Sequence, residues 1–182
     1  MNEVDISLYK TTIDVGAGKL KQILWYYTNI FFFKNSLNVF SGLKVALLRL
    51  FGASVGSVVV IKPGVNIKYP WKLSIGSYSW IGESVWIDNL SDIFIGNNVV
   101  VSQGSLLLTG SHDHTKKTFD FTSHPIVLED GVWIGAKAVI LGGVTCKTHS
   151  ILGLGSVAES ELKANVIYKG NPAIPVIARI IS

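Results

Sequence analysis

The chain has 182 residues, enough for one domain with a smaller attached element, and a formal charge of only +4 from sixteen Lys and Arg scattered along it. No basic stripe marks a nucleic-acid surface, and a single cysteine, Cys146, excludes an intrachain disulfide framework and suits a reducing, cytoplasmic setting. Hydrophobic residues make up 48% of the chain and mean hydropathy is +0.42, high values that a solenoid core and an oligomer interface would account for.

The first fifteen residues are polar and contain Glu3, Asp5 and Asp14, so they do not read as a secretory signal. The most apolar run, residues 23–33, has eleven residues and ends at Lys34, too short to span a bilayer. Residues 37–51 read as an amphipathic helix, with Leu43, Leu47, Leu50 and Phe51 near helical spacing. Residues 19–51 are therefore expected to form two helices within an N-terminal extension, 1–52. Such helices could pack on the following domain or on a neighbouring subunit. The alternative is peripheral contact with a membrane, which Trp25, Tyr26, Tyr27, Lys34, Lys44 and Arg49 suit.

From residue 55 to residue 162 an aliphatic side chain recurs every sixth position. Of fifteen such lead positions, thirteen are Ile, Leu or Val, the exceptions being Cys146 and Ala158. Four places on, all but Trp71 and Leu162 of the fifteen residues are Val, Ala or Ser. Hexapeptide repeats indicate a parallel β-helix, an all-β solenoid whose stacked coils bury one continuous core. We expect it over 53–168, with three hexads per coil. Gly76, Gly82, Gly96, Gly135 and Gly153 are expected to relieve crowding at corners of unusual φ. The phase slips by two at Leu73-Ser74 and at Ile93-Phe94, read as extruded corner residues. A longer break is read as an excursion loop, 113–127.

One dense polar constellation interrupts the repeats: Thr109-Gly110-Ser111-His112-Asp113-His114. His112, at the edge of a rigid solenoid, is placed as a general base; it could also merely cap the strand. A metal is disfavoured, because adjacent ligands on a strand face opposite ways and no Cys or Glu cluster accompanies them. No nucleophile elbow, Walker loop or dinucleotide fingerprint is present.

These hexads, with the 109–114 stretch, Val-Trp-Ile-Gly-Ala at 132–136 and Lys-Gly-Asn-Pro-Ala at 169–173, resemble the left-handed β-helix (hexapeptide-repeat) acyltransferases. Among these the chain most resembles the colanic acid biosynthesis acetyltransferases, to which Arg49-Leu50-Phe51-Gly52-Ala53, Tyr69-Pro70-Trp71-Lys72-Leu73 and Trp86-Ile87-Asp88-Asn89-Leu90 are also similar. The resemblance spans roughly residues 20–180. It implies a left-handed coil, against the usual crossover rule, and a homotrimer with active sites between neighbouring prisms. It also implies acetyl-CoA as cosubstrate, no metal, and a sugar hydroxyl acceptor in exopolysaccharide or lipid-linked oligosaccharide assembly.

Carried over by position, His112 matches the family's catalytic base, and the backbone N–H of Ala136 an oxyanion donor. Trp133, Ala136, Leu154 and Ser156 fall where relatives line the pantetheine groove. Lys169 and Asn171 of a closing segment, 169–182, and Arg179 fall where relatives meet adenine and phosphates. Asp88 and Asn89 fall where relatives face the acceptor. Plain readings remain beside these: Trp133 packing between subunits, and Asp88-Asn89 making an Asx turn. The chain departs from the family at Ala158-Glu159-Ser160-Glu161, where relatives carry Thr-Lys-Asp. N-acyl transfer to an amino sugar and a non-catalytic trimeric scaffold are the competing functions; the intact histidine loop argues against the scaffold.

Overall fold

The computed structural model describes residues 3–9 and 13–181. Two helices, α1 (Lys19–Thr28), which runs on into a π turn at Asn29–Phe33, and α2 (Ser41–Leu50), precede a three-sided parallel β-helix. Its first coil is β1 (Ser54–Val55), β2 (Val60–Ile61) and β3 (Asn66–Ile67); its second is β4 (Leu73–Ile75), β5 (Trp80–Ile81) and β6 (Trp86–Asp88). The third coil is β7 (Ile93–Ile95), β8 (Val100–Val101) and β9 (Leu106–Leu108), after which β10 (Gly110–His112) and β11 (Phe121–Ser123) form an antiparallel hairpin. The fourth coil is β12 (Ile126–Leu128), β13 (Trp133–Ile134) and β14 (Val139–Leu141); the fifth is β15 (Thr145–Cys146), β16 (Ile151–Leu152) and β17 (Val157–Ala158). β18 (Val166–Gly170) and β19 (Ala173–Ala178) close the stack as an antiparallel pair.

Strands stack into three faces, β1-β4-β7-β12-β15, β2-β5-β8-β13-β16-β18 and β3-β6-β9-β14-β17. All fifteen lead side chains are buried, so the period of six is the core itself. The fifth-position residues are buried too, except Trp71, Ser91 and Ser111. Cys146 lies in this core, and burial pushes its thiol up to about 12, so it is an inert hydrophobe.

The turns differ from expectation in one respect. Left-handed backbone occurs at the fourth hexad position, at Gly64 and Gly104 but also at Val58, Tyr78 and Lys137. The second-position glycines serve close approach instead. A Cβ on Gly76 would lie 2.5 Å from the Gly96 backbone, and one on Gly135 would lie 2.5 Å from Leu154 N. The phase slips are also corrected: Leu73 and Ile93 are buried within strands, and the extra residues occupy the preceding corners. The excursion runs over 110–124 rather than 113–127, because Ile126 and Val127 already pair with Ile93 and Phe94. At the C-terminal end, the boundary expected at 168/169 falls inside β18, whose pairing with β19 makes one hairpin.

An open solenoid end would leave strand N–H and C=O groups unpaired. Side chains of the helices cover it. Trp25 Nε1 donates to Ile67 O at 2.9 Å, Lys44 Nζ to Lys62 O at 2.9 Å, and Arg49 Nη2 to Gly56 O at 2.7 Å. Trp25, Phe33, Val45 and Leu48 bury the apolar face beneath. Lys44 is buried with them, and desolvation holds its ammonium below the usual 10.5.

Candidate active site

Each coil has three corners, and the candidate residues divide between two edges of the prism. His112, Asp88 and Asn89 lie at the edge joining the third face to the first. Trp133, Ala136, Leu154 and Lys169 lie on the second face and its edge with the third.

His112 ends β10 and is exposed. Its Nδ1 lies 3.0 Å from the carbonyl oxygen of Phe119. A carbonyl only accepts, so this contact assigns the proton of the neutral imidazole to Nδ1 and leaves the lone pair on Nε2. The ring stacks on Phe119 at 4.6 Å and 10°, meets Phe121 edge-on at 5.6 Å, and has Tyr9 at 5.8 Å. The N-terminal segment is tied to this hairpin by Asp5 N donating to Lys117 O at 2.9 Å. Phe119 has φ of 50°, rare for an aromatic residue, and the turn that imposes it aims the carbonyl at the imidazole. Asp113 does not orient His112. Its Oδ1 accepts from Thr115 N at 3.0 Å and Thr115 Oγ1 at 2.6 Å, and these bonds hold the carboxyl below its usual range.

Asp88 points out from β6 and is covered by the helical cap. Lys68 Nζ lies 2.8 Å from its Oδ1, an ion pair that ties the carboxylate to the first coil. Asp88 lines a cavity of about 620 Å³ with Trp86, Lys68, Tyr26, Tyr27 and Asn66. Asn89 is different. It is fully buried, its Nδ2 donates to Tyr69 O at 2.6 Å and Lys72 O at 3.0 Å, and its Oδ1 accepts from Tyr69 N at 2.9 Å. This amide has nothing left for an acceptor, and Asn89 holds the corner.

On the other edge a groove of about 510 Å³ is lined by Trp133, Ala136, Leu154 and Lys169. Ile151, Ile167 and Ile177 complete its apolar wall, and Ser102 and Gln103 its rim. Trp133, Ile151 and Ile167 are register partners on successive strands, which makes the wall continuous. Trp133 Nε1 donates to Ser102 Oγ at 2.9 Å. Among the described residues no protein acceptor takes the Ala136 N–H, whereas Ala136 O accepts from Gly155 N at 2.8 Å.

Three expected groove residues stand apart from the lining. Ser156 is buried, and its Oγ accepts from Gly170 N at 3.0 Å. Arg179 donates to Gly131 O at 2.9 Å and His149 O at 3.1 Å, securing the end of β19. Asn171 is exposed at the turn between β18 and β19. Ile151, Ile167, Trp86 and Tyr26 were not expected among the lining residues. For Ile151 and Trp86 the available signal was an apolar residue just before a lead position, which a strand must turn outward; Ile167 in the closing hairpin and Tyr26 on α1 carry no such signal. Among the described residues no cluster of three or more His, Cys, Asp or Glu could hold a metal.

No family model matches the chain. It is 39% identical over 165 residues, 91% of each chain, to WcaF of Escherichia coli (strain K12), a protein assigned as a colanic acid biosynthesis acetyltransferase. It is 30% identical over 130 residues to the galactoside O-acetyltransferase of the same organism, covering 70% of this chain and 64% of that one. Among solved structures, a galactoside acetyltransferase in complex with coenzyme A superimposes with a TM-score of 0.78 at 26% identity, over 95% of this chain and 88% of that one. A hexapeptide-repeat acetyltransferase of Vibrio cholerae shares the fold, with a TM-score of 0.79 at 23% identity over 88% and 91%. The fold is thus the left-handed parallel β-helix that the sequence led us to expect, and the chain belongs to the hexapeptide-repeat acetyltransferase family.

Proposed function

We propose that this chain transfers an acetyl group from acetyl-CoA to a sugar hydroxyl in polysaccharide assembly, with His112 as general base. The observation that carries the reading is the His112 Nδ1 contact with Phe119 O, which leaves Nε2 a lone pair at an exposed edge. An unactivated hydroxyl is a poor nucleophile at neutral pH, and a positioned base contributes about 10²–10⁴-fold. Nε2 takes the hydroxyl proton as the oxygen bonds to the thioester carbonyl carbon. The resulting oxyanion accepts from the Ala136 N–H, a contribution of ~3 kcal/mol for one such donor. Collapse then breaks the C–S bond, and the imidazolium returns its proton to the CoA thiolate. The apolar groove of Trp133, Leu154 and Ile151 suits the thin pantetheine arm, with Lys169 at its rim for phosphate. Asp88, paired with Lys68 and lining the cavity beside Trp86, suits acceptor hydroxyls.

Base and groove occupy different edges of one prism, so the reaction needs a second copy. A cyclic homotrimer would bring the His112 edge of one prism against the groove of the next. Exposed Trp80, Val100, Trp133 and Trp86 on the flat faces support such packing. The test is acetyl transfer from radiolabelled acetyl-CoA to a panel of nucleotide sugars and lipid-linked sugars. Alkali-labile label on an acceptor is the expected result. Alkali-stable label would mean N-acylation, and no transfer with any acceptor would contradict the reading.

A further inference from the structure

The N-terminal end of the solenoid is chemically unlike the rest of the molecule. Residues 15–82 contain no Asp or Glu, yet carry eight of the sixteen Lys and Arg. The remainder holds eight cations against all twelve carboxylates. The helical cap belongs to the basic portion. One of its faces is spent on the first coil through Trp25, Phe33 and Leu48. The other stays uncovered. Leu20, Leu24, Tyr27 and Phe31 follow helical spacing and are all exposed, and the segment between the helices exposes Leu37 at 86% and Phe40 at 69%. Lys19 and Lys34 are exposed among them.

We propose that this cap docks on an anionic lipid bilayer, with the 31–40 segment inserted to headgroup depth and Lys19 and Lys34 on lipid phosphates. Among the described residues no helix is long and apolar enough to cross a membrane, so the contact is interfacial. Charge decides between a bilayer and a second copy of the chain. A symmetric contact through this face would oppose Lys19 and Lys34 of the two copies, and Asp88 in the adjoining cavity is buried and already paired with Lys68, whereas an anionic leaflet neutralises each cation. Exposed aromatic and aliphatic side chains interleaved with lysine are the composition that lies in a membrane interface. Ile23, Tyr26, Tyr27 and Lys34 also line the cavity that holds Asp88, so the cavity opens on the docking face. Docking of this face is independent of acetyl transfer.

Flotation of the full chain with vesicles tests it. The protein should rise with mixed phosphatidylglycerol–phosphatidylcholine vesicles. It should rise on the order of tenfold less with pure phosphatidylcholine or at high salt. The Phe31→Ser/Leu37→Ser/Phe40→Ser variant should remain in the lower fractions. Because those side chains are exposed, its unfolding transition and its thermal shift with CoA should match the parent. Should that variant misfold, Lys19→Gln/Lys34→Gln carries the test and must lose flotation. Equal recovery with neutral vesicles, absence of flotation, or flotation indifferent to these substitutions overturns the proposal. So does a larger oligomer that the triple substitution dissociates, since a second copy would then cover the patch.

Discussion

His112 and Phe119 are joined twice: the imidazole Nδ1 meets the Phe119 carbonyl at 3.0 Å, and the two rings stack at 4.6 Å and 10°. Six residues, 113–118, lie between them, and the turn holds Phe119 in a left-handed backbone conformation. The carbonyl sets the tautomer and the ring sets the tilt. Phe119→Ala keeps the carbonyl and removes the stack. It should lower kcat about tenfold through misaimed Nε2, with the KM for acetyl-CoA unchanged. Steady-state kinetics on the two substrates separates this positioning role from a loss of binding.

Trp133 forms the groove wall and is fixed there by its bond to Ser102 Oγ. Trp133→Ala should raise the KM for acetyl-CoA about tenfold, roughly 1.4 kcal/mol, and leave kcat at saturation nearly unchanged. Sedimentation velocity on the same variant checks the other role of this indole: a trimer that dissociates would assign Trp133 to subunit packing instead.

Asn89 and Asp88 are neighbours in sequence with separate tasks. Asn89→Ala strands Tyr69 N, Tyr69 O and Lys72 O in a buried corner. The cost should be about 2–4 kcal/mol, read as a fall in Tm of several degrees. The folded fraction should keep its acceptor KM. Asp88→Asn, by contrast, should raise the acceptor KM with little change in Tm.

The pair also marks the limit of what the sequence carries. The period of six located the fifteen lead side chains of the solenoid core, because one inward position per hexad is a local constraint that stacking repeats coil after coil; Leu73, Ile93 and Ile126 in the strands and Trp25, Phe33 and Leu48 in the cap are buried outside that period. The break at His112 was legible for the same reason. The bonds of Asn89 were not legible, because its donors and acceptors, at Tyr69 and Lys72, come from the previous coil. The same holds for Ser156 and Arg179, whose partners at Gly170, Gly131 and His149 belong to neighbouring coils and the closing hairpin. The turn glycines do relieve crowding, as expected, but the left-handed φ expected with them falls at the fourth hexad position instead.

Glu129 gives the stack an acid-sensitive joint. Its Oε2 accepts from Thr148 Oγ1 and Thr148 N, both at 2.8 Å, and Lys147 Nζ lies 3.1 Å from Oε1. The Thr148 bonds, with the lysine, hold the carboxyl below its usual 4.5. A carboxyl depressed in the folded state stabilises fully above about 4.5 and loses that stabilisation as pH falls through the folded value. Tm of the parent should therefore exceed that of Glu129→Gln above pH ~4.5, and the gap should close on acidification. Thermal melts of both proteins from neutral to acid pH check the sign.

The central claim is that an exposed histidine, with its proton fixed on Nδ1, drives acetyl transfer from a groove that it does not itself line. The most direct test is turnover and CoA binding measured together on His112→Ala. The account predicts a fall in kcat of about 10²–10⁴-fold with the CoA-induced thermal shift retained. Full turnover in that variant would contradict it.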